Sequence, residues 1–186
     1  MGKLVWQVLL GMVIWSFAIT QGHSQRKLEV KRRSAVVVKT PRTKVVYINP
    51  KPKVRVVRTI PGRHTVIRHK GVSYFYHEGH YYRRAGNRYI VMPPPAGVRV
   101  SVLPARYLRI QLGGFPYFYF GGVFYLEKNK KYEVVRPPVG AVVPELPDEA
   151  EKIIIDGKVY YEYDNTIYSL TETNNGLEYE VVGELD

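Results

Sequence analysis

Internal repetition constrains this chain before anything else does. Laid without gaps over residues 104–147, residues 61–104 match at seventeen of 44 positions, where chance would give roughly three. GVSYFYHEGHYY (Gly71–Tyr82) returns 43 positions later as GFPYFYFGGVFY (Gly114–Tyr125), and YIVMPPPAGVRVSVLP (Tyr89–Pro104) as YEVVRPPVGAVVPELP (Tyr132–Pro147). A third copy begins DGKVYYEYDNTIY (Asp156–Tyr168) and keeps YEVV at Tyr179–Val182 only after an insertion around Thr173–Gly176. It stops before any Pro-Pro-x-Gly, as a terminal capping unit does.

The recurring positions define the unit. Gly71, Gly114 and Gly157 recur, as do Tyr74, Tyr117 and Tyr160, and Tyr82, Tyr125 and Tyr168. Gly79, Gly122 and Asn165 share a fourth position, occupied only by residue types that tolerate positive φ. In the second copy, Tyr107–Leu112 alternates, Phe115–Phe120 and Val123–Lys128 flank Gly121-Gly122, and Tyr132–Arg136 leads into Pro137-Pro138. This predicts strands joined by tight hairpins, with Glu78-Gly79 and Asp164-Asn165 as the equivalent turns. A two-residue loop sets Tyr119 against Phe124 and Phe118 against Tyr125, which makes both faces aromatic and predicts that both are covered.

A 43-residue unit without disulfide or metal is too small to stand alone. The fold class expected is therefore all-β: tandem repeats of about 43 residues, each a small antiparallel meander, stacked on a shared aromatic core. The prolines of the connectors cannot donate ladder hydrogen bonds and belong on loops or edges.

Residues ahead of the repeats divide by composition. Residues 1–24 read as an export signal: Lys3, an apolar run from Leu4 to Ile19, and Gly22 and Ser24 placed for cleavage before Gln25. The run is short for a membrane span, although an uncleaved inner-membrane anchor is the alternative. Residues 25–45 form a basic, extended, flexible arm, with a β-branched patch at Ala35–Val38 ended by Pro41. Residues 46–60 fall into register with the repeats and read as an N-terminal half-repeat cap. Repeat one then covers 61–103, repeat two 104–147, and an acidic terminal repeat 148–186. The mature protein is expected in the periplasm or outside the cell.

Charge runs along the chain as a gradient. The net charge of +12 hides +11 over residues 25–60 and −9 over residues 148–186. The arm residues Arg26, Lys27, Lys31, Arg32, Arg33, Lys39, Arg42 and Lys44 suit anionic lipid headgroups, lipopolysaccharide phosphates or acidic polysaccharide. A solvated tether is the plainer alternative. The same gradient allows self-association, basic front to acidic rear.

Signal and repeats together, in the pattern carried by Gly71–Pro104 and Gly114–Pro147 with a degenerate copy at Gly157–Val182, resemble an uncharacterised exported bacterial family, a domain of unknown function. The resemblance covers about two thirds of the chain. It implies a bacterial envelope or secreted protein and supplies no functional residues.

Catalytic chemistry finds little footing in the sequence. There are no cysteines, so disulfides, thiolate metal sites and cysteine nucleophiles are excluded. Ser73 maps to Pro116 and Val159, and Ser101 to Pro144, so neither serine is a feature of the repeat. No catalytic serine motif and no pair of acids in an apolar pocket is identifiable, and no cofactor is implied. His77, Glu78 and His80 lie on a hairpin turn without HExxH spacing. With His64 and His69 they form the one candidate metal or hydrolytic cluster. Arginines interleaved with tyrosines, such as Arg83, Arg84 and Arg109, suggest a stacking platform. The recurrence of the rings at the repeat period favours a core, and export argues against nucleic acid as partner. The expected function is a non-enzymatic envelope module that binds or scaffolds. Self-assembly is the first alternative and a histidine-based metal or hydrolytic protein the second.

Overall fold

The computed structural model describes residues 38–48 and 54–186. The expected signal, most of the expected arm and residues 49–53 of the expected cap lie outside the described residues.

Two strands open the described chain, β1 (Val38–Thr40) and β2 (Val45–Ile48), joined through a 3-10 turn at Arg42–Lys44. A first meander follows: β3 (Arg55–Val57), β4 (Thr65–His69), β5 (Val72–His77), β6 (His80–Ala85) and β7 (Arg88–Val91). The second is β8 (Arg99–Val100), β9 (Leu108–Leu112), β10 (Phe115–Phe120), β11 (Val123–Lys128) and β12 (Lys131–Val135). The third is β13 (Val142–Val143), β14 (Glu151–Ile155), β15 (Lys158–Tyr163), β16 (Thr166–Thr173) and β17 (Gly176–Leu185). The described residues contain no α-helix, and the fold is all-β.

Each meander makes one antiparallel sheet. The orders are β3-β7-β6-β5-β4, then β8-β12-β11-β10-β9, then β17-β16-β15-β14 with β13 along the side of β17 that faces away from β16. The hairpin turns explain the register. Glu78-Gly79, Gly121-Gly122 and Asp164-Asn165 all hold two consecutive positive φ angles, the geometry of a two-residue turn that follows the twist of its strands. Tyr119 therefore faces Phe124, and Phe118 faces Tyr125. The insertion around Thr173–Gly176 lengthens the β16–β17 hairpin, which pairs from Thr166 to Glu184.

Period-two alternation sends each sheet's aromatics both ways. Phe118, Val123, Tyr125 and Val134 of the second sheet share a core with Tyr81 of the first and with Val98, Val100 and Leu103 of the connector. Tyr119 and Phe124 face the other way and share a core with Ala141, Val143, Tyr168 and Val181. The second sheet is thus covered on both faces. Tyr81 and Tyr125 meet through their hydroxyls, 3.1 Å apart, inside the first interface.

Two features differ from the division expected of the sequence. The connector valines do not close the unit they follow: Arg99–Val100 pairs with β12 and Val142–Val143 with β17, so each completes the open edge of the next meander. The expected cap also splits. Arg55–Val57 pairs with β7 in the first sheet, whereas Val45–Ile48 runs antiparallel to β14 in the third. The end of the expected flexible arm is ordered too, since Val38–Thr40 lies parallel to Gly183–Leu185. The third sheet therefore has seven strands, with N-terminal segments on both of its edges. Val45 and Tyr47 pack on Ile153, Ile155, Ile167 and Leu185, and this apolar burial explains why a segment with basic neighbours leaves solvent.

Candidate functional site

The hairpin tips converge on one side of the three sheets. A ring from each later sheet lies on the turn glycine of the sheet before it. A Cβ on Gly79 would fall 2.3 Å from the Phe120 ring, and one on Gly122 would fall 2.3 Å from the Tyr163 ring. At the third tip Arg42 reaches across from the N-terminal segment and hydrogen-bonds Asn165 Oδ1 and the Tyr47 hydroxyl.

These approaches leave a cleft of about 320 Å³ lined by residues of all three meanders, among them Arg55, His80, Gly121, Pro147, Glu149 and Tyr163. Arg55 and Glu149 form an ion pair at 3.8 Å that links the first meander to the third. Burial lowers the His80 pKa, and the nearby Arg55 charge lowers it further. Burial likewise raises Tyr163, assisted by Glu149.

A second pocket of about 230 Å³ shares Pro93, Glu149 and Tyr163 with the cleft and adds Arg42, Glu151, Glu162 and Asp164. Glu151 and Glu162 are buried and directly opposite each other on β14 and β15. The sequence reading found no such acid pair; the turn Asp156-Gly157 makes it by fixing the hairpin register. Glu162 Oε1 accepts a hydrogen bond from the Asn165 amide at 2.7 Å, which ties this carboxylate to the third tip. Asp164 has its pKa raised by burial and by the neighbouring Glu162 charge.

The histidine cluster disperses its polar atoms. His77 Nδ1 hydrogen-bonds the Arg63 carbonyl at 2.7 Å, with Glu78 Oε2 3.8 Å from its other nitrogen. The His80 ring stands edge-on to Phe120, and His64 stands edge-on to Phe75. No three His, Asp or Glu residues gather around a metal-sized point among the described residues.

The arm residues divide. Arg26, Lys27, Lys31, Arg32 and Arg33 lie outside the described residues. Lys39 reaches Glu184 and Asp186, each at 3.9 Å, and Arg42 binds Asn165. Lys44 is exposed. The recurring positions serve the interior instead: Tyr74, Tyr82, Tyr125 and Tyr168 are buried, Tyr117 and Tyr160 are half-buried, and Gly71, Gly114 and Gly157 occupy turns.

Arg55, Glu149, Glu151 and Glu162 were not picked out from sequence. Hairpin arithmetic could have paired the two buried acids. Arg55 with Glu149 required knowledge of how the meanders stack.

Over residues 43–184, a span that holds the first two sheets and the third apart from β1 and the last residue of β17, the chain matches a family of unknown function (DUF6515). The chain belongs to that family. The DUF6515 match includes both partners of the β2–β14 pairing, so the closure of the last sheet by the N-terminal segment lies within the family region. No curated protein and no solved structure matches the chain.

Proposed function

We propose that this is an exported, non-enzymatic β-repeat module that binds anionic components of the cell envelope: lipid headgroups, lipopolysaccharide phosphates or acidic polysaccharide. One observation carries the reading. Arg58, Arg63, Arg68, Arg83, Arg84 and Arg88 are all exposed on the first meander, where Glu78 is the only acid between residues 54 and 97. A surface of one sign attracts polyanions and raises their local concentration. Lys39 and Arg42 have contacts within the chain, so the binding role shifts from the end of the arm toward the first sheet.

The test is co-sedimentation of the full chain with anionic vesicles, zwitterionic vesicles and lipopolysaccharide at low and high salt. Binding to the anionic partners is expected, weakening as salt rises. Equal binding to zwitterionic vesicles, or no binding to any anionic partner, overturns the reading.

A further inference from the structure

The first sheet has an outer face that repeats an interface. On the second sheet, Phe118 stands edge-on to both Tyr107 and Tyr132, with ring centroids 5.4 and 5.2 Å apart, and the first sheet covers Phe118 and Tyr132 with Tyr76, Tyr81 and Ile67. On the first sheet, Phe75 stands edge-on to His64 and Tyr89 in the same way, at 5.4 Å from each. Among the described residues no core cluster includes Phe75 or Tyr89. Arg68 and Arg84 share this face with the trio. Arg84 is opposite Tyr89, and Arg68 lies two positions along β4 from Val66, the partner of Phe75. Both arginines are exposed.

We infer that this face, which joins His64, Phe75 and Tyr89 to Arg68 and Arg84, is a docking site for an acidic polysaccharide chain. The inference rests on the proposed anionic-envelope reading and names its partner. Charge requires an anion. A second copy meeting it face to face is a poor occupant, because two first sheets would meet arginine to arginine. Lipid fits less well, because Phe75 and Tyr89 are half-buried and held edge-on to each other, and cannot insert into a bilayer. Spacing argues against nucleic acid. Arg68 and Arg84 stand on strands β4 and β6, separated by β5, so their roots are about 10 Å apart. In a linear glycan acidic at every sugar, alternate carboxylates can meet the two guanidiniums, whereas duplex DNA carries one charge about every 1.7 Å. Sugar C–H edges would lie on the rings and carboxylates on the guanidiniums, leaving the Arg84 Nε bond to the Gly86 carbonyl (3.1 Å) in place.

Polygalacturonate is the probe, titrated calorimetrically into the full chain beside dextran, a single-stranded oligonucleotide and anionic vesicles. Arg68→Gln/Arg84→Gln is expected to weaken polygalacturonate binding about tenfold, and Tyr89→Leu to weaken it without changing net charge. Lys130→Gln/Lys131→Gln, which removes the same charge from exposed positions of the second meander, is expected to leave binding within about twofold. Equal losses in the two double variants, unchanged binding in Tyr89→Leu, or tighter binding of the oligonucleotide overturns the assignment. Vesicle binding without polygalacturonate binding overturns this site and leaves the envelope reading standing; binding to neither removes both.

Discussion

Gly122 holds a φ of +84° directly beneath the Tyr163 ring, with a Cβ position 2.3 Å from a ring carbon. Its neighbour Gly121 also has positive φ, +53°, but nothing lies within 4 Å of its Cβ position. The pair separates backbone strain from steric contact. Gly121→Ala should cost only about 1–2 kcal/mol, the penalty of a left-handed L-residue. Gly122→Ala adds overpacking and should cost about 2–4 kcal/mol; urea midpoints for the two variants read the difference. Sequence showed the need for positive φ at Gly79, Gly122 and Asn165 but not the ring above the two glycines, because that ring belongs to the next unit. Asp164 offers a second test at the third tip. Burial and Glu162 raise its folded pKa, so its charged form burdens the native state above that pKa. Asp164→Asn should raise Tm at pH 7, and the gain should shrink as pH falls through the raised value and vanish below the unfolded one.

At the scale of the strand, local pattern was enough to place most elements. Phe115–Phe120 and Val123–Lys128 form strands over the stretches expected, and the hairpin between them has the expected register. What local pattern could not reveal is pairing between distant segments. Val38–Thr40 and Val45–Ile48 read as arm and cap because nothing near them in sequence is their partner; the partners are β17 and β14, more than a hundred residues away. An unpaired edge invites association with other chains, and here both edges of the last sheet are taken by the chain's own start. Val45→Asp puts a carboxylate against Ile153 and Ile155, a burial that a charge does not tolerate. The expected result is release of β2, seen as faster amide exchange along β14 with exchange in β11 unchanged, together with increased light scattering. Unchanged β14 exchange would show that β2 is not held by this packing.

Across the whole molecule the three sheets are joined by tyrosines rather than by ion pairs. Arg136–Glu184 and Arg55–Glu149 are solvent-accessible contacts at 3.6 and 3.8 Å, a class worth at most about 1 kcal/mol each. Tyr81 and Tyr125 lie between the first and second sheets, and Tyr119 and Tyr168 between the second and third. Burial raises the pKa of all four well above the ordinary phenol value. That sets the sign of an alkaline transition. Above about pH 10 the unfolded chain releases these protons while the folded chain keeps them, so the unfolded state binds fewer protons and stability falls as pH rises. Each such tyrosine adds about 1.4 kcal/mol per pH unit to that fall, beginning near the unfolded pKa and ending where the folded group itself ionises. Urea unfolding measured from pH 9 to 12 should therefore steepen sharply past pH 10. Tyr125→Phe should remove one proton's worth of slope whatever it does to stability at pH 7. A slope unchanged in Tyr125→Phe would mean that the sheets are not held through buried phenols.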